Sequence, residues 1–214
     1  MDEIINQINK AQHLLLASHC NPDGDAVSSL LAMGLALGKL DKKVTLYNAS
    51  PIPAVYRFLP SVKRIVRHIR KATAYDTALV LDCGNMSRVG EAHTEVSQIP
   101  IIINIDHHVT NTRFGNIQLI DPAACSTAEI VYHLIKALNA PIDNAIATSI
   151  YTGILTDTGS FRFSNTNQAA FAISQEMVQY GVEPYNIAPV SYTHLRAHET
   201  RYVISYAVFC LKRG

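Results

Sequence analysis

The segment Ile101-Ile102-Ile103-Asn104-Ile105-Asp106-His107-His108 joins an apolar run directly to an acid and two imidazoles. Four isoleucines in five positions are typical of a β-strand that is buried on both faces. Carboxylates and imidazoles seldom follow such a strand without a ligand, and divalent cations are the commonest one. The segment therefore predicts a central strand with a metal site at its carboxyl end.

Other short apolar runs alternate with longer helical patterns along the chain. The predicted strands are Leu14–Ala17, Val44–Tyr47, Ala78–Leu81 and Ile101–Ile105. The predicted helices are Ala26–Leu40, a helix opened by Ser126 that runs to about Leu138, Asn144–Thr156, and Asn167–Tyr180, which Gly181 ends. Apolar strands without alternation suit a parallel sheet. We expect an α/β fold, doubly wound, with a mainly parallel sheet and helices on both faces.

Polar residues follow three of these strands at the point where each ends. His19 follows the first strand, Asp82 the third, and Asp106, His107 and His108 the fourth. In doubly wound sheets, ligands bind outside the carboxyl ends of the strands. These residues are therefore expected to converge on one crevice.

The turn His19-Cys20-Asn21-Pro22-Asp23-Gly24-Asp25 carries one imidazole and two carboxylates. Pro22 fixes φ and Gly24 relaxes the backbone, so Asp23 and Asp25 could face two neighbouring cations. Helix N-capping would explain one of the two acids and would leave the other unexplained. No Gly-x-Gly-x-x-Gly follows the first strand, which disfavours a dinucleotide site.

Asp82 closes the third strand and is suited to bridge two cations about 3.5–4 Å apart. If the chain stays extended after Ile105, His107 and His108 face opposite ways, so one would ligate metal and the other meet substrate. Asp106 could then orient an imidazole. Asp157 lies beside a predicted helix. Apart from a place in a turn or at the helix end, the sequence indicates no structural role for this acid.

Six side chains are candidate ligands, which suits two cations that share one bridge: His19, Asp23, Asp25, Asp82, Asp157 and one of His107 and His108. Imidazole donors favour manganese, iron or cobalt over magnesium. A two-metal site activates water and clamps the attacking and leaving oxygens of a phosphoryl group. The predicted reaction is therefore hydrolysis of a phosphate ester or anhydride.

Amino-acid composition excludes several classes of function. The 214 residues have a formal net charge of +1, which gives little support to binding of duplex nucleic acid. Acids at Asp2 and Glu3 disfavour a secretory signal, and the apolar stretch Leu30–Leu40 is shorter than the roughly 20 residues of a membrane span. We expect a cytoplasmic protein without a membrane partner. Four cysteines without Cys-x-x-Cys spacing disfavour a zinc ribbon.

The motifs, taken in order, resemble those of the DHH phosphoesterase family. They are the Asn-Pro-Asp-Gly-Asp turn at residues 21–25, Asp82-Cys83-Gly84, Asp106-His107-His108 and Thr156-Asp157-Thr158-Gly159. The similarity covers about residues 1–188. Residues 17–26, 55–60 and 159–163 look most like the nanoRNase/pAp-phosphatase branch. The resemblance implies a manganese enzyme that trims short single-stranded oligonucleotides to mononucleotides and removes the 3′-phosphate of adenosine 3′,5′-bisphosphate.

The same resemblance assigns roles to individual residues. It implies that one cation is held by His19, Asp23 and Asp82, and the other by Asp25, Asp82, His107 and Asp157. His108 would contact the phosphate, with Asp106 and Asp82 completing the catalytic set. Arg162 is a further candidate for an anionic substrate, against the alternative of a surface arginine on an edge strand.

The C-terminal segment departs from the family pattern. Residues 1–189 contain 14 Lys/Arg and 16 Asp/Glu, whereas residues 190–214 contain four and one. Residues 189–214 resemble translated sequencing-adaptor read-through, so they are expected to be non-native, and His194 and His198 receive no role. The family's second, substrate-binding domain is expected to be absent, which would impair turnover by loss of positioning.

Three alternatives remain open. The chain could be a manganese-dependent inorganic pyrophosphatase, a cyclic di-AMP phosphodiesterase, or a catalytically silent module that binds metal or nucleotide. The quaternary state is likewise open, with a homodimer as one candidate.

Overall fold

The computed structural model describes residues 1–188, which form one six-stranded sheet in the order β3-β2-β1-β4-β5-β6. The strands are β1 His13–Ser18, β2 Lys43–Tyr47, β3 Ile65–Val66, β4 Thr77–Leu81, β5 Ile101–Asp106 and β6 Ile117–Ile120. All five strand pairings are parallel. The predicted α/β fold with a mainly parallel sheet is confirmed.

Within residues 1–188, the helices that accompany the sheet include α1 Asp2–Lys10, α2 Gly24–Lys39, α3 His93–Val96, α4 Thr127–Ala137, α5 Asn144–Asp157 and α6 Gln168–Gln179. The four predicted strands and four predicted helices are found within a few residues of their predicted bounds. The sequence reading missed α1, α3 and the two edge strands β3 and β6. Both edge strands are short, so their apolar patterns are weak.

The sheet has its topological switch point between β1 and β4. β1 pairs with β2 on one side and with β4 on the other, so the winding of the chain reverses there. Crevices that bind ligands lie outside the carboxyl ends of strands at such a point. The loops that follow β1 and β4 carry His19 and Asp82.

The two faces of the sheet are covered unequally. On one face, Leu14, Leu16, Leu79 and Ile103 pack against apolar residues of α1, α2, α4, α5 and α6. On the other face, the alternate strand residues pack against α3 and a set of loops and 3₁₀ turns. The long helices therefore lie on one face, and two of them, α2 and α5, carry predicted ligands.

Side-chain caps fix where four helices begin. The carboxylate of Asp23 accepts from the amide of Ala26 at 3.0 Å, so Asp23, and not Asp25, is the N-cap of α2. Ser126, Asp143 and Asn167 cap α4, α5 and α6 in the same way. The capping alternative raised for the Asp23/Asp25 pair thus applies to Asp23, while Asp25 lies in the first turn of α2.

Within residues 1–188, no helix combines the length and the hydropathy that a bilayer crossing requires. The predicted non-native tail at residues 189–214, with His194 and His198, lies outside the described residues. The predicted division at residue 188 stays a prediction.

Candidate metal centre

The turn after β1 places His19 and Asp23 together. His19 is 4% exposed, and its Nδ1 lies 2.8 Å from the carbonyl oxygen of Cys20. Because a carbonyl oxygen only accepts, Nδ1 carries a hydrogen, so in the neutral ring Nε2 has the lone pair that a cation could use. That Nε2 lies 3.8 Å from Asp23 Oδ2 and 3.6 Å from Asp82 Oδ2.

Asp82 occupies the centre of the cluster. It follows β4, is 1% exposed, and adopts φ +54°, a left-handed conformation that Asp tolerates better than most residues. Its Oδ1 accepts from the hydroxyl of Thr127 at 2.9 Å and lies 3.9 Å from His107 Nε2. Its two carboxylate oxygens therefore face histidines from different loops, which is the geometry of a bridging ligand.

The histidines after β5 lie on the same side, contrary to the expectation that they face opposite ways. Their ring centroids are 4.6 Å apart, and both rings approach Asp82 Oδ1. The reason is that β5 ends at Asp106, so the alternation of an extended strand does not continue through His107 and His108.

Within this loop, His107 and His108 make different contacts. His107 Nε2 lies 3.5 Å from Asp157 Oδ2, a separation too long for a good hydrogen bond. His108 Nδ1 donates to Asp106 Oδ1 at 2.7 Å, and that bond is the main cause of the raised pKa of His108. With Nδ1 committed to Asp106, the half-exposed His108 ring has Nε2 available for another group.

Asp25 is held by the beginning of α4. Its Oδ2 accepts from the amide of Thr127 at 2.6 Å, and its Oδ1 accepts from the amide of Ala128 at 2.9 Å. Two backbone donors at a helix N-terminus favour a negative charge there. Gly153 allows this approach, because a Cβ at that position would lie 2.6 Å from the Ala128 side chain and 2.9 Å from Asp25 Oδ1.

Asp157 is the last residue of α5, in agreement with the helix-end reading of that acid. Asn165 donates to its carboxylate at 3.3 Å and to its carbonyl oxygen at 3.1 Å. Between these two residues, Gly159, Ser160 and Phe161 all have φ near +60°, which costs about 1–2 kcal/mol for each non-glycine residue. The strained turn brings Asn165 back to the carboxylate.

Three groups of side chains bring potential ligand atoms within 4.8 Å of one another. They are His19 with Asp23 and Asp82, Asp25 with His107 and Asp157, and Asp82 with His107 and His108. Two donors that share one cation at about 2.1 Å stand roughly 3–3.5 Å apart. The separations of 3.5–3.9 Å between imidazole nitrogens and carboxylates are close to that spacing.

The charges of the cluster also fit bound cations. Burial, together with repulsion from Asp82 and Asp157, raises the pKa of Asp25 well above its usual range. Burial is also the main cause that raises the pKa of Asp157 to about 6. For His19, burial opposes the charged form, but hydrogen bonding to Asp23 and Asp82 outweighs it and raises the pKa to about 10. Divalent cations would remove this accumulation of negative charge, so the residues fit a metal centre.

Arg162 lies in the turn that follows α5. It is exposed, and its Nε donates to the carbonyl oxygen of Gly159 at 3.0 Å within that turn. The exposure agrees with the alternative of a surface arginine, but the expected edge strand is wrong, because residues 161–163 form turns and a bend.

Sequence reasoning missed residues that support the ligands. Thr127 contacts both Asp25 and Asp82, although the sequence predicts only that it lies in the first turn of a helix. Asn111 donates to Asp106 Oδ2 at 2.6 Å and to the side-chain oxygen of Asn104 at 2.9 Å. Asn48 donates to the carbonyl oxygen of His19 at 2.9 Å. Each lies in a loop or at a helix start, where polar residues carry little sequence signal.

Comparison with known proteins agrees with the geometry. The family model described as "DHH family, N-terminal domain" matches residues 13–154. The protein named bifunctional oligoribonuclease and PAP phosphatase NrnA from Thermus thermophilus is 39% identical over 170 residues, which are 79% of this chain and 51% of that protein. The chain spans about half the length of the curated relatives it matches.

Solved structures share the fold. An exopolyphosphatase-related protein from Bacteroides fragilis superposes with a TM-score of 0.85 at 28% identity, over 95% of this chain and 64% of that chain. The exonuclease RecJ, solved with manganese bound, superposes with a TM-score of 0.54 at 16% identity, over 83% of this chain and 46% of that chain. At that identity the second likeness concerns the fold alone.

Proposed function

The chain belongs to the DHH family, and from that premise we propose that it is a phosphoesterase that uses two divalent cations to hydrolyse short nucleotide substrates. One observation carries the proposal. Five candidate ligands from four loops and helices surround the sixth, Asp82, a buried carboxylate at the switch point of the sheet.

We assign one cation to His19, Asp23 and Asp82. The support is the pair of short separations from His19 Nε2 to the two carboxylates, together with the Nδ1 hydrogen bond that leaves Nε2 free. This imidazole has a fixed orientation, as metal-ligating histidines usually do when the other ring nitrogen donates.

We assign the second cation to Asp25, Asp82, His107 and Asp157. Asp25, His107 and Asp157 have ligand atoms within 4.8 Å of one another, and Asp82 reaches His107 from the other side. Cations bound at such a centre supply Lewis acidity, which activates water and neutralises charge on a phosphoryl group.

His108 is proposed to contact the phosphate of the substrate. Its Nδ1 hydrogen bond to Asp106 fixes the ring, and the raised pKa favours the protonated form, which donates from Nε2 to an anionic oxygen. Asp106 in turn accepts from Asn111, so its charge is held beside the ring. Arg162 remains a proposal for the distal part of the substrate.

Manganese is the proposed metal. A donor set that mixes imidazoles with carboxylates suits manganese better than magnesium, which prefers oxygen ligands. The RecJ structure that shares this fold contains manganese, which supports the choice.

The proposed substrates are short single-stranded oligonucleotides and adenosine 3′,5′-bisphosphate. The support is the 39% identity to a protein named as an oligoribonuclease and PAP phosphatase.

The test has a binding part and a turnover part. Titration calorimetry of the full chain with Mn²⁺ should give two equivalents per chain, and EDTA should reverse the binding. The metal-loaded chain is then assayed on a dinucleotide, adenosine 3′,5′-bisphosphate, pyrophosphate and cyclic di-AMP. Release of mononucleotide from the dinucleotide supports the proposal.

Other outcomes point elsewhere. Turnover of pyrophosphate alone would identify a manganese-dependent pyrophosphatase, and turnover of cyclic di-AMP alone would identify a phosphodiesterase of that specificity. Two bound Mn²⁺ ions without turnover of any of the four compounds would indicate a silent module. One Mn²⁺ ion per chain would contradict the shared Asp82 bridge.

A further inference from the structure

A fifteen-residue segment concentrates the positive charge of the described chain. Residues 57–71 contain six Lys/Arg and no Asp or Glu, whereas the rest of residues 1–188 contains eight Lys/Arg and 16 Asp/Glu. We call these six residues the basic edge: Arg57, Lys63, Arg64, Arg67, Arg70 and Lys71. All six are exposed, so the near-neutral total charge conceals a local cationic surface.

The basic edge surrounds β3, the edge strand next to β2. In the part of the chain that the structure describes, the Lys/Arg ion pairs join Lys39 to Asp143 and Lys136 to Glu176, so they leave the basic edge without an acidic partner. Cations without acidic partners repel one another when they lie close together. An anionic ligand would reduce this electrostatic repulsion.

The surface is continuous with the metal centre through Asn48. The backbone amide of Asn48 donates to the carbonyl oxygen of Val66, in β3, at 3.1 Å. Its side chain donates to the carbonyl oxygen of His19 at 2.9 Å. Arg67, directly after β3, donates to the carbonyl oxygen of Ala49 at 3.4 Å. Since β3 lies two strands from β1, Arg67 and His19 end up about 10 Å apart along one rim of the sheet.

Protection of an exposed edge strand is the simpler explanation, because lysines on such strands hinder pairing with other chains. The opposite edge of the same sheet provides a comparison. Residues 114–124, which contain β6, have no Lys or Arg, and β6 is also an edge strand. Edge protection alone therefore does not account for six cations on the β3 side.

We propose that the basic edge binds the phosphate backbone of a single-stranded oligonucleotide whose terminal phosphodiester lies at the metal centre. The proposal rests on the proposed function and extends it to the part of the substrate beyond the reacting group. Arg67 and His19, about 10 Å apart on one rim, suit a flexible polyanion that reaches both. Adenosine 3′,5′-bisphosphate has only one phosphate beyond the reacting one and cannot extend along the rest of the basic edge, so the basic edge should distinguish the two substrate classes.

The test compares charge reversal beside β3 with charge reversal at the amino end of β1 and β2. Arg64→Glu with Arg67→Glu reverses two charges of the basic edge. Lys10→Glu with Lys43→Glu makes the same change in net charge at the amino end of the strands, on exposed side chains. The milder Arg64→Gln with Arg67→Gln provides a second variant if the reversal does not fold.

The readout is fluorescence anisotropy of the full chain in Mn²⁺, with a five-nucleotide RNA whose methylenephosphonate linkages keep the charges and resist cleavage. We expect the Arg64/Arg67 reversal to weaken RNA binding about tenfold and to reduce the slope of log Kd against log salt by about 1.4, for two lost phosphate contacts. Adenosine 3′,5′-bisphosphate, measured by competition, should change by less than about twofold, because the metal centre is intact.

The proposal is overturned if the RNA affinity is unchanged, or if the Lys10/Lys43 variant loses as much. It is also overturned if the reversal abolishes binding of a polyglutamate peptide or of anionic vesicles while RNA binding stays intact. Because binding is read without turnover, the two proposals fail separately. A chain that hydrolyses none of the substrates but loses RNA binding on reversal would keep the basic edge and refute the phosphoesterase.

Discussion

The two ends of β1 carry the same residue in opposite environments. His13 begins the strand, lies 3.1 Å from the hydroxyl of Thr45, and has a pKa that burial lowers. His19 follows the strand, and its carboxylate neighbours raise its pKa to about 10 despite burial. A histidine is therefore not informative by itself. The charge that surrounds it separates a structural position from a candidate ligand.

Aspartates differ between the two ends in the same way. At the amino end, Asp76 Oδ2 accepts from the amides of Gln12 and His13, so it closes local backbone bonds. At the carboxyl end, burial raises the pKa values of Asp25 and Asp157, and repulsion from nearby Asp82 adds to both shifts. The difference indicates that Asp76 serves local backbone bonds, while the accumulated negative charge at the carboxyl end fits bound cations.

Substitution of Asp82→Asn should have the largest effect. Asn also tolerates a left-handed backbone, so φ +54° can be kept, and its side-chain oxygen can still accept from Thr127. Loss of the bridging charge should reduce turnover on the order of 10³-fold, or about 4 kcal/mol. Steady-state rates measure the loss of turnover, and calorimetry measures the binding of Mn²⁺.

The metal-free Asp82→Asn chain provides the decisive comparison. Removing one of several repelling carboxylates should make it at least as stable to urea as the unmodified chain without metal. Saturating Mn²⁺ should then stabilise the variant less than the unmodified chain. Equal stabilisation of the two chains by Mn²⁺ would mean that Asp82 is not a ligand.

The stability of the metal-free chain should depend on pH in a defined direction. The pKa of Asp157 is raised to about 6 in the folded chain, so its contribution to stability is present below pH 3.8 and is lost as pH rises through 6. The corresponding decrease in the free energy of unfolding is roughly 3 kcal/mol. His19, with a pKa of about 10, gives a second loss between pH 6.5 and 10. Urea unfolding from pH 4 to 10 in EDTA measures both windows.

Two controls separate the groups in that pH profile. Asp157→Asn should reduce the lower window, to which Asp25 also contributes because its pKa is raised, and leave the upper one. Saturating Mn²⁺ should flatten the lower window, because bound cations keep the carboxylates ionised at lower pH. A lower window of unchanged size in Asp157→Asn would assign it to another group.

Asn111→Ala should have a smaller effect, through His108. Asn111 donates to the same carboxylate that holds the His108 ring, so its loss frees Asp106 to turn. Loss of such an outer partner typically costs 10–100-fold, and we expect about tenfold in kcat with little change in KM. Asn9→Ala, at an exposed position of α1, is the matched control. An effect confined to KM would place Asn111 in binding.

The sequence predicts the central fold well because its signals are local. Four strands and four helices are recognisable from apolar periodicity and from caps such as Ser126 and Asn167. The edge strand β3 escapes because two residues, Ile65 and Val66, carry no periodicity.

The candidate site could be predicted only in part, for a physical reason. His19, Asp82 and Asp106 stand out because each comes directly after, or ends, a buried apolar strand. Their supporting contacts are tertiary: Thr127 lies 45 residues from Asp82 in the chain, and the amide of Ala128 lies 103 residues from Asp25. The shared orientation of His107 and His108 depends on where β5 ends, which an apolar pattern does not specify.

Asp76→Ala should have the smallest effect and tests the amino end. The substitution leaves the amides of Gln12 and His13 without their acceptor, which should cost about 1 kcal/mol because the first amide is exposed and can bind water. Turnover and Mn²⁺ stoichiometry should stay within about twofold, because the carboxyl end keeps all its ligands. Thermal unfolding and steady-state rates give the two numbers on one preparation. A loss of turnover much greater than the loss of stability would mean that the amino end also takes part in function, and the contrast between His13 and His19 would then no longer separate structure from chemistry.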